Sequence, residues 1–272
     1  MELLLPSVLC IVGFVLLYYG AEWLVKGSSS IAKSFKISAI VIGLTVVAFG
    51  TSAPELVVSL IASISDKSMI AVGNVIGSNI CNIALVLGLS SLFHPIISHR
   101  TVVTRDIPIM LGISVLLLIL SFDNTLGRID GAILFTGIII YTIWNYVSAR
   151  GHSDEAEAIE SELEEIGYVT DRSKMILLVL VGIAGVVGGA KLVVDSAEEI
   201  MLYFGLSEKF IGLTVVAFGT SLPELATSVV AAIRKELDIS IGNLIGSNVF
   251  NILSVLGAAS LVRPIPIPGG FM

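Results

Sequence analysis

The segment Gly43 to Ser59 reads GLTVVAFGTSAPELVVS, and Gly212 to Ser228 reads GLTVVAFGTSLPELATS, so 14 of 17 residues recur at an offset of 169. A chain that contains itself twice is constrained to fold as two units of one kind. Each copy sets one carboxylate, Glu55 or Glu224, in a strongly apolar stretch. An ionised side chain at membrane depth costs roughly 2.5 to 3.5 kcal/mol or more unless something compensates it. The offset extends further: GNVIGSNICNIALVLG at 73–88 matches GNLIGSNVFNILSVLG at 242–257 in 11 of 16 positions, and Gly13/Gly182, Gly20/Gly189 and Ala21/Ala190 lie 169 apart. A unit of that length is too long for a solenoid repeat. It suits a duplicated membrane bundle with its substrate at the midplane between halves.

The solvent follows from composition. Hydrophobic residues make up 55% of the chain and charged residues 14%, with a mean hydropathy of +0.99, which places the chain among polytopic, all-α membrane proteins. Apolar runs long enough to cross about 30 Å of hydrocarbon lie near residues 4–33, 39–64, 69–92, 105–122, 129–148, 175–203, 208–233 and 238–262. The expected organisation is a first repeat of five helices over 1–148, a hydrophilic linker over 149–174 and a second repeat of three helices over 175–272. The first run lacks the basic start of a cleaved signal peptide, and its counterpart recurs as the sixth helix.

An odd number of helices per repeat inverts the second copy. The loops then divide into two sets. One holds Lys33, Lys36, Arg100, Arg105, Arg150, Arg172, Lys174, Arg234 and Lys235; the other holds Lys67, Arg128, Lys209 and Arg263. Positive charge concentrates in cytoplasmic loops, so the N-terminus is expected outside the cell membrane and the linker inside. The linker carries Asp154, Glu155, Glu157, Glu160, Glu162, Glu164 and Glu165, without EF-hand spacing, and reads as a solvated acidic segment. There is no basic patch for nucleic acid. Cys10 and Cys81 show neither a disulfide framework nor metal-ligand spacing. His94, His99 and His152 fall at loops or helix ends, and no Ser/His or Cys/His pair at membrane depth points to an enzyme.

The repeated motif reads as a cation site. Pro54 and Pro223 each remove a backbone donor and clash with the preceding turn, so each helix is expected to break there. Backbone carbonyls freed at membrane depth are tolerated where they line a cavity or meet a ligand; Ala48 and Ala217, one turn before the break, are the candidate carbonyl donors. The hydroxyls of Thr51, Ser52, Thr220 and Ser221 cluster at the breaks, one turn before Glu55 and Glu224. Hydroxyls, carbonyls and carboxylates form an oxygen-only shell of the kind hard cations such as Ca²⁺ take. The two carboxylates balance one divalent ion. Asn82 and Asn251 add amide groups at equivalent positions and are read as ligands or ligand-orienting groups. Asn74, near a helix start, reads as a cap, and the remaining asparagines as helix-to-helix hydrogen bonds. Small residues and hydroxyls such as Ser59, Thr227 and Ser228 are explained by helix packing alone.

At these residues the chain resembles the cation/Ca²⁺ exchanger superfamily, specifically its prokaryotic sodium/calcium exchanger branch: GTSAPEL with GSNICN, and GTSLPEL with GSNVFN, look like its paired alpha repeats. The resemblance implies two inverted-topology repeats of five helices, a ten-helix fold of which about eight helices are expected here, the last two missing. It implies four ion sites in a diamond between helices 2, 3, 7 and 8. The matching positions are Glu55, Glu224, Thr51, Ser52, Thr220, Ser221, Asn82, Asn251, Ser78, Ser247 and the carbonyls of Ala48 and Ala217. It also implies that the long first and sixth helices slide across this core. The expected function is Na⁺/Ca²⁺ antiport, with the two ions as substrates, no cofactor, and the lipid bilayer as surroundings.

Some relatives carry Asp where this chain has Asn251, which bears on ion stoichiometry and on a potassium requirement. GNVIG and GNLIG lack the glutamate of the proton-coupled branch, which favours Na⁺ over H⁺. A proton/calcium antiporter and a cation channel are the alternatives. In the expected mechanism Ca²⁺ bridges Glu55 and Glu224, or several Na⁺ ions take that site and its neighbours, and the empty carboxylate pair is forbidden to cross.

Overall fold

A computed structural model describes residues 3–95, 100–149, 168–206 and 217–267. Its helices are α1 (Leu4–Phe35), α2 (Ala39–Thr51), α3 (Ala53–Ile64), α4 (Ser68–Phe93), α5 (Val102–Leu120), α6 (Arg128–Ala149), α7 (Arg172–Tyr203), α8 (Leu222–Ile233) and α9 (Leu237–Val262). Among the described residues six helices are long and apolar enough to span a bilayer, and the pair α2/α3, bent by 46°, adds a seventh crossing if taken as one. Helix α8 is shorter, and residues 207–216, which precede it in the expected 208–233 run, lie outside the described residues. So does most of the acidic linker, at 150–167.

The helix ends repeat along with the helices. Lys36 takes a left-handed φ of 51° after α1 and Asp66 one of 63° after α3; 169 residues on, Gly205 (77°) and Lys235 (61°) do the same. In each case the next residue reaches back across the last turn, as in Ile37 N–H to Ala32 O at 2.9 Å and Glu236 N–H to Ala231 O at 2.8 Å. That bond satisfies carbonyls a helix end leaves open. Helix α7 begins at Arg172, a few residues before its apolar run, because Asp171 accepts the N–H groups of Ser173 and Lys174 at 2.8 and 3.1 Å and caps the first turn.

Helices α1 and α7 run along each other with their backbones nearly touching. A methyl group on Gly20 would stand 2.6 Å from Val186 N, one on Gly182 2.5 Å from Leu24 N, and one on Gly189 2.7 Å from Leu17 N. These are the glycines that recur at the repeat offset. In lipid, such close approach supplies the dispersion attraction that replaces a hydrophobic driving force.

Helix α9 is the central element, 83% of its most apolar window buried against 33% for its counterpart α4. It is packed by α2 on one side, where a methyl on Gly246 would meet Leu44 O at 2.6 Å, and by α6 on another, where a methyl on Gly257 would meet Phe135 N at 2.9 Å. The equivalent Gly73, Gly77 and Gly88 of α4 face open space. Beyond α9, Ile265–Pro266 pairs antiparallel with Thr125–Leu126, so the proline-rich stretch closes a two-stranded ribbon over the α5–α6 turn.

Candidate ion-binding site

Both repeated helices break where the sequence puts proline. Pro54 and Pro223 stand in the first turns of α3 and α8, where their missing N–H groups would have no helical partner in any case. A new helix therefore starts inside the membrane. Glu55 and Glu224 occupy those first turns, at the positive end of the helix dipole, worth typically 0.3 to 1 kcal/mol to a carboxylate and up to about 2 when partly buried. Both are fully buried.

The backbone before each site residue is irregular. Gly43–Val47, just ahead of Ala48, forms a π-helical turn, and Asn82 and Asn251 each open another, Asn82–Val86 and Asn251–Leu256. Such bulges re-aim side chains and frequently mark functional sites. The sequence carries no local signal for them. That the turn opening at Asn82 recurs at Asn251 is visible only in coordinates.

Hydrogen bonds between the copies come in exchanged pairs. Thr51 Oγ1 donates to Asn243 Oδ1 at 3.1 Å, and Thr220 Oγ1 to Asn74 Oδ1 at 3.3 Å. Thr51 also meets Ser247 Oγ at 3.5 Å, as Thr220 meets Ser78 at 3.5 Å. Asn74 Nδ2 donates to Glu55 O at 3.2 Å and Ser59 Oγ at 3.0 Å; Asn243 Nδ2 donates to Glu224 O at 3.5 Å and Ser228 Oγ at 3.0 Å. Asn74 is thus not the helix cap expected of it. Its amide clamps α4 onto the first turns of α3 through Glu55 O and Ser59 Oγ, and its Oδ1 accepts from the other copy. Ser59 and Ser228 do serve packing.

The carboxylates are held unequally. Glu224 Oε1 accepts from Ser52 Oγ at 2.8 Å, whereas Glu55 Oε1 accepts from Ser78 Oγ at 3.5 Å. Ser221, the counterpart of Ser52, is buried with no partner for its hydroxyl. Four acceptor oxygens also lack a protein partner: Glu55 Oε2, Glu224 Oε2, Asn82 Oδ1 and Asn251 Oδ1. A buried acceptor left unpaired costs about 1 to 3 kcal/mol, more when charged. Two such oxygens come from each copy, and carboxylate and amide oxygens are the ligand types that hard cations take. Of the remaining expected ligands, Ala48 O accepts Ser52 N–H at 3.0 Å, and Ala217 opens the short turn Ala217–Gly219. Among the described residues no group of three or more His, Cys, Asp or Glu comes together, so two carboxylates set the charge of the site.

Comparison with known proteins places this arrangement. The family described as sodium/calcium exchanger protein matches residues 5–147 and 174–271. The chain is 41% identical over 258 residues to the uncharacterized membrane protein MJ0091 of Methanocaldococcus jannaschii, covering 94% of this chain and 82% of the relative. It is 38% identical to the inner membrane protein YrbG of Escherichia coli (96% and 81% covered). It is 33% identical to the sodium/calcium exchanger MaX1 of Methanosarcina acetivorans (94% and 83%). Its fold superposes on the sodium-calcium exchanger NCX_Mj soaked with Na⁺ and Sr²⁺ with a TM-score of 0.85 and 39% identity, covering 97% of this chain and 84% of that one. The chain belongs to the sodium/calcium exchanger protein family.

Proposed function

We propose that this protein is a secondary active antiporter that exchanges Na⁺ for Ca²⁺ by alternating access. The observation that supports it most is the set of four unpartnered buried oxygens, Glu55 Oε2, Glu224 Oε2, Asn82 Oδ1 and Asn251 Oδ1. Glu55 and Glu224 bridge Ca²⁺. Thr51, Ser52, Ser78, Thr220, Ser221, Ser247 and the carbonyls of Ala48 and Ala217 complete the Ca²⁺ and Na⁺ shells. Family membership favours Na⁺ as the coupling ion.

In this reading residues 1–148 and 175–272 are inverted-topology repeats joined by a linker at 149–174, with about eight spans in all. The exchanged hydrogen bonds between the copies support it, because Thr51 and Thr220, and Asn82 and Asn251, each donate to the other copy at equivalent positions. The charge of the loops puts the N-terminus outside and the linker in the cytoplasm. The test is ⁴⁵Ca²⁺ uptake into proteoliposomes preloaded with Na⁺, K⁺ or a proton gradient, for wild type and Glu55→Gln. Uptake driven by internal Na⁺ alone and abolished in the variant is expected. Uptake indifferent to the internal ion would make the protein a channel, and uptake driven by protons would move it to H⁺ coupling.

A further inference from the structure

We infer that Asn79 and Asn248, which no cation need touch, are positioning residues that fix which end of the Asn251 and Asn82 amides faces the ion. An asparagine side chain offers an oxygen at one end and two N–H donors at the other, with nearly the same shape. An amide free to turn over presents its electropositive end to a cation half the time. Something must hold it.

The hydrogen bonds supply the constraint in order. The backbone carbonyl of Asn248 can only accept, and it lies 3.2 Å from Asn79 Nδ2. That contact fixes Asn79, whose Oδ1 therefore faces Asn251. Asn251 must then present its Nδ2, which donates to Asn79 Oδ1 at 3.1 Å. Its Oδ1 is thereby turned to the other side, buried and without a protein partner. On the opposite face Asn248 Oδ1 accepts from Asn82 Nδ2 at 3.3 Å, and Asn82 Oδ1 is likewise left buried and unpartnered. Each amide of the site is thus oriented by an asparagine of the other copy. Asn82 lies one turn beyond Ser78, and Asn251 one turn beyond Ser247, so both free oxygens stand on the helix faces that carry the site hydroxyls.

The two relays end differently. Asn79 is anchored by a backbone carbonyl, whereas among the described residues Asn248 Nδ2 meets the thioether of Met110 at 3.6 Å, a weak acceptor. Asn251 is therefore the more firmly held of the pair.

An aspartate needs no such help, because both of its ends are oxygens. This gives a test on the purified full chain, with ⁴⁵Ca²⁺ binding as the readout. Asn79→Leu should weaken Ca²⁺ binding by about tenfold or more with Asn251 present, the signature of a lost orienting contact. In an Asn251→Asp background the same change should cost less than about threefold, a coupling that independent sites do not show. The mirror cycle, Asn248→Leu with and without Asn82→Asp, supplies the same comparison should Asn79→Leu fail to fold. Equal losses in both backgrounds, or no loss from either leucine, would overturn the inference. It rests on Asn82 and Asn251 as ion ligands, and Asn251→Leu separates the two failures. Wild-type Ca²⁺ binding by that variant removes the ligand reading itself, whereas weakened binding without relief by aspartate removes the relay alone.

Discussion

Replacing Glu224 with Gln removes one unit of charge from the site while keeping its volume and an acceptor for Ser52 Oγ, which donates to Glu224 across 2.8 Å. With both carboxylates present, bound Ca²⁺ leaves the site neutral. In the variant the Ca²⁺-loaded site carries +1, fully buried. An uncompensated charge at membrane depth costs about 2.5 to 3.5 kcal/mol, and each 1.4 kcal/mol is tenfold in affinity, so Ca²⁺ binding should weaken by about 70- to 400-fold. A single Na⁺ leaves the same variant neutral, so Na⁺ binding bears no such penalty. The substitution should therefore invert selectivity instead of lowering affinity for both ions. Glu55→Gln should do the same, because Glu55 is equally buried and begins the equivalent helix. Equilibrium binding of ⁴⁵Ca²⁺ and ²²Na⁺ to purified protein, each in the absence of the other ion, reads both effects. Ca²⁺ affinity within about threefold of wild type, or Na⁺ affinity falling by the same factor as Ca²⁺, would refute the charge-balance argument.

Three further outcomes follow from packing and burial. Gly20→Ala forces a methyl to within 2.9 Å of Gly185 Cα and should destabilise the protein by about 1 to 3 kcal/mol, while Gly188→Ala, which meets nothing within 4 Å, should not; equal melting temperatures would dismiss the close α1–α7 seam. Gly246→Ala should impair folding by pressing on Leu44 and Ala48, and Gly77→Ala should be neutral or gain up to about 1 kcal/mol of helix propensity; chemical denaturation of the pair decides. Glu236 lies in the loop between α8 and α9, and burial pushes its carboxyl above the usual range. The folded state then holds that proton more tightly than the unfolded one, so the contribution is present below about pH 4.5 and is lost as pH rises through the folded pKa. Glu236→Gln keeps an acceptor for Tyr168 and should flatten that part of the thermal-stability profile; an unchanged slope above pH 4.5 would count against it.

The parts of this molecule that repeat and alternate in polarity are legible in its sequence. Apolar runs mark the helices to within a few residues wherever both ends of the run are described, and the proline positions foretell where α2 gives way to α3. What the sequence hides depends on contacts between copies. Lys36, Asp66 and Lys235 end helices in a conformation that favours glycine, so residue type alone gives no warning of it. The π-helical turns at Gly43, Asn82 and Asn251 have no compositional mark. Asn74 looks like a cap because it lies near a helix start, and only the packing of α4 on α3 reveals the Glu55 carbonyl and Ser59 hydroxyl that its amide reaches. The unequal support of Glu55 and Glu224 is equally invisible, since the flanking motifs are nearly identical.

On the proposed function, the same cross-copy bonds explain why occupancy and conformation are tied together. Ser52 of the first copy holds Glu224 of the second, Thr51 holds Asn243, and Thr220 holds Asn74. The site is therefore not built within either copy, and it exists only while the two are docked. A displacement of one copy relative to the other removes the Ser52 hydroxyl from the buried Glu224 carboxylate, and a lost bond to a charged group costs about 1.5 to 3 kcal/mol. Bound cations replace that support with direct coordination and cancel the charge. Movement is then least costly when the site is full and most costly when both carboxylates are bare, and an exchanger requires that ordering of costs.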